Sequence, residues 1–363
     1  MKRSLQNAAI FLTSCLIALA GIEGALRLWG PDVIRMGSAF TFHRFDPVLG
    51  WDNLAGAEGR FTRIEFSYPV RINADGLWDA DIHDKAPHEF RVAVLGDSFT
   101  WGLGVGYGER FTEVVESRNV RFNVVNFGVT AFSPVQHMLQ LDRVFAMKAD
   151  YVVMAICLAN DVYENVIFNA YNHPKPYVTL NPDGESFEVR GYPLPERVEV
   201  GSYLFGWTSH SRIISLVNLY VNQKHQKPLE AIDEMTDASV LYVPPDKLPP
   251  ADRKRAADAF KLNELIMASM KQKIDAAIGP NRFAVLLVPT KWDYPGNLPR
   301  PDGDPDTVAT NVLSSLSRLG IPAIDGRKVL TQDDFWTRDM HWNPSGHKKI
   351  GNQLGAFLEK VID

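Results

Sequence analysis

The sequence predicts an α/β protein built on a mainly parallel five-stranded sheet, and two observations lead to this fold class. From Arg91 onward, five apolar runs have the length of strands: 91–96, 122–127, 151–158, 283–289 and 321–324. Segments with the helical spacing of apolar residues separate them, which is the pattern of βαβ units and hence of a parallel sheet. The chain has 363 residues, 45% of them hydrophobic, so it can bury one large core plus an accessory region.

Two helices of the core have readable ends. The first is expected near 252–278, stops at Gly279-Pro280, and has as its inner face Ala259, Leu262, Leu265, Ile266 and Met270. The last helix begins with Asn343 as a cap and Pro344 at the first helical position. Its apolar residues recur at helical spacing: Ile350, Leu354, Phe357, Leu358 and Val361.

Composition divides the chain into an anchor at 1–30, an N-terminal extension at 31–89 and a core at 90–363. The extension is rich in aromatic and turn residues, and we expect it to form short strands that flank the functional site. A segment rich in Tyr, Pro and turn residues interrupts the core at about 166–250 and is too long for an ordinary connection. We interpret this segment as an insertion near the site that determines substrate selectivity.

The N-terminal segment has the features of an export signal that remains attached. Lys2-Arg3 precede a mostly apolar stretch from Ala8 to Ile22, which with its flanks is near the lower end of the ~17–25 residues that a spanning helix needs. The basic residues favour a cytoplasmic N-terminus, and no clear small-x-small cleavage site follows. We therefore expect a single-pass signal anchor in the inner membrane, with the core on the periplasmic side.

Two alternatives for this segment remain open from the sequence. Residues 12–15 have the form of a lipoprotein box ending at Cys15, although the apolar run continues well past that cysteine. The segment could also be a buried helix of a cytoplasmic protein, which the basic start and the unbroken apolar run disfavour.

Charge and cysteine content exclude some classes of function. The net charge is −5 and the pI is about 6.0, so the chain has no basic footprint and we expect no nucleic-acid partner. The two cysteines are Cys15 in the anchor and Cys157 in a predicted core strand. We therefore expect no disulfide, and cysteine usage does not indicate a redox compartment.

A serine and a remote histidine carry the chemistry that the sequence indicates. Ser98 follows the first core strand, whereas Asp339 and His341 lie just before the last helix. A serine hydroxyl needs an imidazole to take its proton, and the imidazole needs an acceptor on its other nitrogen. Ser98, His341 and Asp339 can fill these three roles. The residues around Ser98 lack the second glycine of a G-x-S-x-G elbow, which disfavours the α/β-hydrolase version of this chemistry.

The ends of two further apolar runs offer hydrogen-bond donors. Gly128 follows the run 122–127, and without a Cβ its backbone N–H can come close to a ligand and face an oxyanion. Asn160 follows the run 151–158 and places a side-chain amide at the end of another predicted strand. The two groups can serve as oxyanion donors.

Ser98, Gly128, Asn160 and His341, in this order, resemble the four motif blocks of the SGNH (GDSL-type) hydrolase superfamily. The likeness covers most of the chain from about residue 90, and the segment before it is similar to that of membrane-anchored bacterial members. The resemblance implies a three-layer α/β/α sandwich, with Ser98 as nucleophile, His341 as base and Asp339 as its partner. It also implies an oxyanion hole formed by the N–H groups of Ser98 and Gly128 and the amide of Asn160.

Two positions depart from the family pattern. The third block usually reads Gly-x-Asn-Asp or similar, whereas Ala159 directly precedes Asn160 here. The last block often reads Asp-x-x-His, whereas Asp339 is one residue closer to His341 and Arg338 occupies the longer-spaced position.

Each motif also has a purely structural interpretation. A Gly-Asp-Ser after a strand can be a turn, Gly128 can be a bend, and Asn160 can be a helix cap. The ordered set, with each member after a strand or on a C-terminal loop, favours a catalytic site. His347 is the rival base, but it falls within the last helix, and we interpret it as a packing or surface histidine.

Cofactor and metal motifs do not fit. The glycine cluster at 102–108 gives neither G-x-G-x-x-G nor a P-loop, and we interpret it as a flexible loop beside the nucleophile. No Cys/His cluster has zinc spacing, and the carboxylates form no metal-loop pattern. We therefore expect no cofactor and no metal.

The leading hypothesis is a serine esterase that forms an acyl-enzyme on Ser98, with a small-molecule or carbohydrate ester as substrate. An O-acetyl ester of an envelope polysaccharide is one such substrate, and five tryptophans are candidates for stacking on sugar rings: Trp51, Trp78, Trp101, Trp292 and Trp342. A sugar hydroxyl as acceptor would make the protein an O-acyltransferase, and the sequence does not choose between the two. A non-catalytic glycan-binding or assembly protein of the same fold is the hypothesis from another class, although it has no need for a base beside a hydroxyl.

Overall fold

A computed structural model describes residues 2–29, 42–63, 65–170, 173–194, 211–213, 250–294 and 305–362. The chain begins with helix α1 (Lys2–Trp29) and strands β1 (His43–Asp46), β2 (Gly50–Asn53), β3 (Glu58–Thr62) and β4 (Ser67–Arg71). The first part of the core comprises β5 (Phe90–Gly96), α2 (Ser98–Trp101), α3 (Phe111–Arg118), β6 (Phe122–Gly128), α4 (Pro134–Leu139), α5 (Leu141–Ala146), β7 (Tyr151–Cys157) and α6 (Asp161–Glu164). After these come β8 (Asn169–Ala170), β9 (His173–Pro174), β10 (Tyr177–Leu180), β11 (Phe187–Arg190), α7 (Pro250–Ile278), β12 (Phe283–Val288), α8 (Pro305–Leu319), β13 (Ala323–Asp325) and α9 (Pro344–Ile362).

The central sheet has the strand order β13-β12-β7-β5-β6, and each neighbouring pair is parallel. The predicted α/β class with five core strands is therefore confirmed, and the predicted bounds differ from the observed ones by at most two residues. The register places Gly96, the last residue of β5, opposite Gly128, the last residue of β6. Parallel strands align their carboxyl ends, so the residues that follow β5, β6 and β7 meet at one edge.

Successive side chains of the sheet point to opposite faces, and each face packs against a layer of helices. The fold is therefore a three-layer α/β/α sandwich. One face contributes residues such as Leu95, Met154 and Leu287, which pack on α4, α5, α7 and α8. The other face contributes residues such as Val94, Val153 and Leu286, which pack on α3 and α9. In α9 the buried residues Ile350, Leu354 and Leu358 follow the predicted spacing, and burying each side chain contributes about 1.5–3 kcal/mol.

The N-terminal extension forms two antiparallel hairpins, β1–β2 and β3–β4, that contact the functional edge of the sheet. Trp51 donates from Nε1 to the carbonyl of Thr130 at 3.0 Å, just beyond β6. Asn53 donates to the carbonyl of Gly128 at 3.3 Å and accepts from Trp101 Nε1 at 3.3 Å. The extension is thus hydrogen-bonded to the strand ends that carry the candidate site.

The predicted insertion at 166–250 begins with two short antiparallel pairs, β8–β9 and β10–β11. Lys175, directly after β9, is fully buried and reaches back into the core. Residues 195–210 and 214–249 of the insertion lie outside the described residues, so its predicted role in selectivity stays a prediction.

Helix α1 is long and apolar enough to cross a membrane over Ala9–Trp29, where the mean hydropathy is 2.0 and none of the window is buried in the protein. Near its C-terminal end, the Glu23 carboxylate accepts hydrogen bonds from the Ser211 hydroxyl and from the N–H groups of Arg212 and Ile213, at 2.9–3.1 Å. The apolar helix is therefore connected to the inserted part of the core.

Candidate active site

Ser98 stands at the junction of β5 and α2, at the edge where the parallel strands end. Asp97 caps the short helix, because its carboxylate accepts the N–H of Phe99 at 2.9 Å. Burial raises the pKa of Asp97 to about 6. None of the hydrogen bonds among the described residues uses the Ser98 N–H, which lies in the first turn of α2. The serine therefore has both its hydroxyl and its backbone N–H available at this edge.

An unbroken chain of hydrogen bonds joins the three residues proposed for nucleophilic chemistry. Ser98 Oγ lies 2.6 Å from His341 Nε2, and His341 Nδ1 lies 2.5 Å from Asp339 Oδ1. Since the carboxylate only accepts, the Nδ1 position carries the hydrogen and Nε2 is left to accept from the serine hydroxyl. The structure therefore brings together three residues that are up to 243 positions apart in the sequence.

The short Asp339-to-His341 spacing is accommodated by a second contact. Asp339 Oδ1 also accepts the backbone N–H of His341, at 3.0 Å. One carboxylate oxygen thus binds the main chain and the ring of the same histidine. A separation of two residues is therefore sufficient for Asp339 to orient His341, and Arg338 is not required in that position.

The charge of Asp339 is favoured although its carboxylate is largely enclosed. Burial raises the pKa of Asp339, but the interaction with His341, the two hydrogen bonds from that residue and the guanidinium of Arg63 outweigh burial and lower it. An ionised carboxylate is what a histidine acting as base needs on its other nitrogen.

The segment 335–342, called here the histidine loop, is fixed at its base. Phe335 and Trp342 form an antiparallel bridge, and the N–H of Trp336 donates to the carbonyl of His341 at 3.1 Å. Trp342 is fully buried and donates from Nε1 to the carbonyl of Pro289 at 3.1 Å. These contacts hold His341 at the serine before α9 begins.

The start of α9 has the capping chemistry that the sequence predicts. Asn343 Oδ1 accepts the N–H groups of Ser345 at 2.9 Å and Gly346 at 3.2 Å. Its amide nitrogen donates to the carbonyls of Asp333 and Phe335. A single side chain therefore ties the helix start to the base of the histidine loop.

Gly128 occupies the predicted strand end, but the structure gives its N–H a different partner. The Gly128 N–H donates to Asn126 Oδ1 at 2.9 Å and its carbonyl accepts from Asn53. A Cβ on Gly128 would lie 2.3 Å from the backbone nitrogen of Trp101. The glycine is thus required for close packing of α2 on β6, and in this structure its N–H does not face an open site.

Ala131, three residues further on, combines an unusual backbone conformation with an N–H that has no partner among the described residues. Its φ is 62°, in the left-handed region that non-glycine residues rarely adopt, and none of the hydrogen bonds of the described residues uses its N–H. Alanine carries no sequence signal for this conformation, and so sequence reasoning did not identify it.

Asn160 follows β7 and is nearly buried, with 8% of its surface exposed. Its amide nitrogen donates to Glu164 Oε1 at 3.0 Å. Because an amide nitrogen carries two hydrogens, one N–H remains for a further acceptor. The carboxylate of Glu164 therefore sets the orientation of the amide without using all of its donor capacity.

The segment 160–165, called here the amide segment, packs on buried titratable side chains. Asp161 accepts the N–H of Cys157 at 2.8 Å, and burial raises its pKa well above the ordinary range. The ammonium of Lys175, from the insertion, donates to the carbonyl of Glu164 at 2.6 Å and to the hydroxyl of Ser133 at 2.8 Å. Burial lowers the pKa of Lys175, which the charges of Glu164 and Asp161 oppose.

His347, the rival base, is fully buried on α9 and has a packing role. Its ring stacks on Phe111 with centroids 6.1 Å apart, and its Nδ1 accepts the N–H of Phe111 at 3.3 Å. Burial lowers the pKa of His347 to about 3. The interpretation of this residue as a packing histidine agrees with its position.

The tryptophans and the glycine cluster differ from what was expected of them. Four of the five tryptophans proposed for sugar stacking are core residues, at most 3% exposed: Trp51, Trp78, Trp101 and Trp342. Trp292 is half-buried. In the glycine cluster, Leu103 and Val105 are buried and the N–H of Gly104 donates to the Tyr68 hydroxyl at 3.0 Å, so this loop is packed against the N-terminal extension.

No protein-family model matches the sequence. No curated protein matches it either. Among the part of the chain that the structure describes, no group of three or more His, Cys, Asp or Glu side chains is placed to hold a metal ion.

Solved structures do match. One is described as a putative lipolytic protein of the G-D-S-L family from Desulfitobacterium hafniense DCB-2, with 12% identity, a TM-score of 0.37, and coverage of 74% of this chain and 99% of that one. A native aryl esterase of M. smegmatis has 13% identity and a TM-score of 0.38, covering 75% and 99%. A GDSL-like lipase from Bacteroides thetaiotaomicron has 11% identity and a TM-score of 0.37, covering 77% and 92%.

Proposed function

We propose that this chain is a serine esterase of the SGNH type that forms an acyl-enzyme on Ser98. The observation that carries the proposal is the hydrogen-bonded series from Ser98 Oγ through the His341 ring to Asp339, with both contacts at 2.5–2.6 Å. A binding protein has no use for a base aligned on a serine hydroxyl, whereas nucleophilic catalysis requires one.

The first step is attack of Ser98 Oγ on the carbonyl carbon of an ester. His341 Nε2 takes the serine proton as the new C–O bond forms, and Asp339 stabilises the resulting imidazolium through its bond to Nδ1. The carbonyl oxygen becomes an oxyanion. Collapse of the tetrahedral intermediate breaks the bond to the alcohol, which leaves with the proton from His341, and the acyl group remains on Ser98.

The oxyanion needs donors that are oriented before the reaction. We assign this role to the N–H of Ser98 and to the free amide hydrogen of Asn160. A backbone donor from the loop after β6 completes the set, and we assign it to Ala131 in place of Gly128. Two observations support the change: the Gly128 N–H is bonded to Asn126, and the Ala131 N–H has no bond among the described residues.

The second step releases the acyl group. Water attacks the acyl carbon while His341 takes its proton, and the bond from that carbon to Ser98 Oγ then breaks as Oγ regains the proton from His341. The product is the free acid, and the whole reaction is ester hydrolysis. If a sugar hydroxyl accepted the acyl group instead, the same residues would perform O-acyl transfer. Analysis of the products in the presence of a polysaccharide acceptor distinguishes the two reactions.

We further propose that α1 anchors the protein in the inner membrane with the core on the periplasmic side. The support is the apolar span Ala9–Trp29 and the basic pair Lys2-Arg3 before it. A core in that position would meet esters outside the cytoplasm, and an O-acetyl group on an envelope carbohydrate is the substrate class we propose.

The test uses the full-length protein in detergent. A fluorophosphonate probe should label wild type, and p-nitrophenyl acetate should be hydrolysed. Ser98→Ala should abolish labelling, and His341→Ala should reduce it by several orders of magnitude because the serine loses its base. Ser117→Ala and His88→Ala, at exposed positions, are matched controls and should behave as wild type.

Absence of labelling in well-folded wild type, or equal labelling in Ser98→Ala, would overturn the esterase proposal. Circular dichroism and thermal unfolding of each variant establish that the comparison concerns folded protein.

A further inference from the structure

The turn between β3 and β4 contacts the histidine loop although the two are far apart in the sequence. Between the two strands, the N–H of Arg63 donates to the carbonyl of Phe66 at 2.8 Å. Phe66 packs on Trp336 of the histidine loop with ring centroids 5.4 Å apart. The hairpin of the N-terminal extension therefore reaches the segment that bears Asp339 and His341.

Glu65 holds the backbone of that loop directly. Its carboxylate oxygens accept one N–H each, from Thr337 at 2.9 Å and from Arg338 at 2.6 Å. These are the two residues that immediately precede Asp339. Charge-assisted bonds of this kind are stronger than neutral ones and fix two successive peptide units.

Lys291 holds the same peptide units through their carbonyls. Its ammonium donates to the carbonyl of Trp336 at 3.0 Å and to that of Thr337 at 2.5 Å. The backbone just before Asp339 is thus bound by an anion on its N–H groups and by a cation on its carbonyl groups. Neither Glu65 nor Lys291 touches Ser98 or His341 in a hydrogen bond among the described residues.

The same turn also contributes charge near Asp339. The guanidinium of Arg63 lies over the Phe61 ring at 4.9 Å, and it helps to lower the pKa of Asp339. A cation here favours the ionised carboxylate that orients the histidine.

We propose that Glu65, with Lys291 as its counterpart, is a positioning residue of the active site that holds the histidine loop so that Asp339 keeps His341 aligned on Ser98. This inference rests on the proposed esterase function. It makes the N-terminal extension part of the catalytic unit, although the extension supplies no group that reacts.

The experiment compares kcat and KM for p-nitrophenyl acetate in full-length variants. Glu65→Ala removes both acceptors and should lower kcat between about 10- and 100-fold, because small misplacement of a reacting group has effects of this size. KM and the thermal unfolding midpoint should stay near wild type. Glu65→Gln keeps one acceptor oxygen and should recover part of the loss, and Lys291→Met should lower kcat in the same way.

Glu58→Ala is the matched control, since Glu58 is on the same hairpin with 71% of its side chain exposed. It should leave kcat unchanged. Wild-type kcat in both Glu65 variants would overturn the inference while leaving the Ser98 chemistry intact. If Glu65→Ala does not fold, Glu65→Gln alone decides, and kcat equal to wild type in that variant would also overturn it. Turnover that survives in Ser98→Ala would instead refute the proposed function.

Discussion

The histidine loop and the amide segment both contribute to the surroundings of Ser98, but they are held in different ways. The histidine loop is bound through partly exposed contacts, with Glu65 and Lys291 on its backbone. The amide segment lies over the fully buried Lys175, whose ammonium donates to the Glu164 carbonyl and the Ser133 hydroxyl. Hydrogen bonds from partly exposed groups adjust geometry at small cost to folding, whereas a buried ammonium and its acceptors link Asn160 to the stability of the core.

The largest effect is expected in the histidine loop. Asp339→Asn keeps the shape of the side chain but favours the wrong tautomer of His341, so kcat should fall on the order of 10³–10⁴-fold. The urea unfolding midpoint should hardly change. Hydrolysis of p-nitrophenyl acetate measures the first quantity, and Asp333→Asn, at an exposed position of the same region, is the control. A loss smaller than tenfold would show that Asp339 does not orient the histidine.

Beneath the amide segment, we expect a substitution to lower the stability of the protein, whereas Asp339→Asn lowers kcat. Lys175→Met removes the ammonium from two buried acceptors, the Glu164 carbonyl and the Ser133 hydroxyl, and should lower the free energy of unfolding by about 2–3 kcal/mol. Urea unfolding followed by fluorescence measures this loss. In Lys261→Met, which breaks an ion pair with Glu185 whose lysine is 37% exposed, the loss should be at most about 1 kcal/mol. Equal losses of unfolding free energy in Lys175→Met and Lys261→Met would show that the buried lysine contributes no more to stability than an exposed one.

Asn160→Ala tests whether the amide segment serves catalysis as well as folding. Loss of one oxyanion donor should lower kcat by about 10²–10³-fold with KM near wild type. The broken hydrogen bond to Glu164 should cost about 1 kcal/mol of unfolding free energy. Asn311→Ala, on the exposed face of α8, should change neither quantity, and an Asn160→Ala enzyme with wild-type kcat would exclude the assigned role.

The smallest effect concerns the pH dependence of folding near the histidine loop. Burial lowers the pKa of His347 from 6.5 to about 3, so between these values the unfolded chain binds a proton that the folded chain does not. The contribution of this residue to stability is complete above pH 6.5 and is lost by about 1.4 kcal/mol per pH unit as the pH falls towards 3.

His347→Gln should therefore reduce the loss of stability between pH 6.5 and 5 by up to about 2 kcal/mol relative to wild type. The comparison with wild type isolates this residue from carboxyls of opposite effect, such as Glu116, whose pKa burial raises to about 7. Urea unfolding at the two pH values measures the difference, and parallel curves would show that folding leaves the pKa of His347 unchanged.

Much of the fold could be predicted because each core strand is a short apolar run bounded by polar residues. The runs at 91–96 and 122–127 became β5 and β6 almost residue for residue. The start of α9 could be predicted equally well, because Asn343 and Pro344 act on residues directly beside them in the sequence. Local interactions and hydrophobic periodicity depend on neighbours in sequence, so they can be read without the structure.

The oxyanion donors were less predictable. Gly128 was a reasonable choice by position, but Asn126, two residues away, occupies its N–H. The Asn126 amide is oriented towards this N–H by its own bonds to the Thr100 carbonyl and the Thr112 hydroxyl, which only the packing of α2 and α3 brings into reach. The tryptophans show the same limit, since the sequence cannot tell a stacking surface from a core position.

By itself, the sequence determined the α/β class with five core strands, the apolar N-terminal helix, and the choice of Ser98, Asp339 and His341 as the residues to test. Only the tertiary structure decided that Ala131 rather than Gly128 has an unpaired N–H, that Lys175 supports the amide segment, and that Glu65 binds a backbone 272 positions away. The physical reason is that strand and cap signals are local. Pairing between distant side chains and backbone groups is fixed only when the packed core brings them within hydrogen-bonding distance.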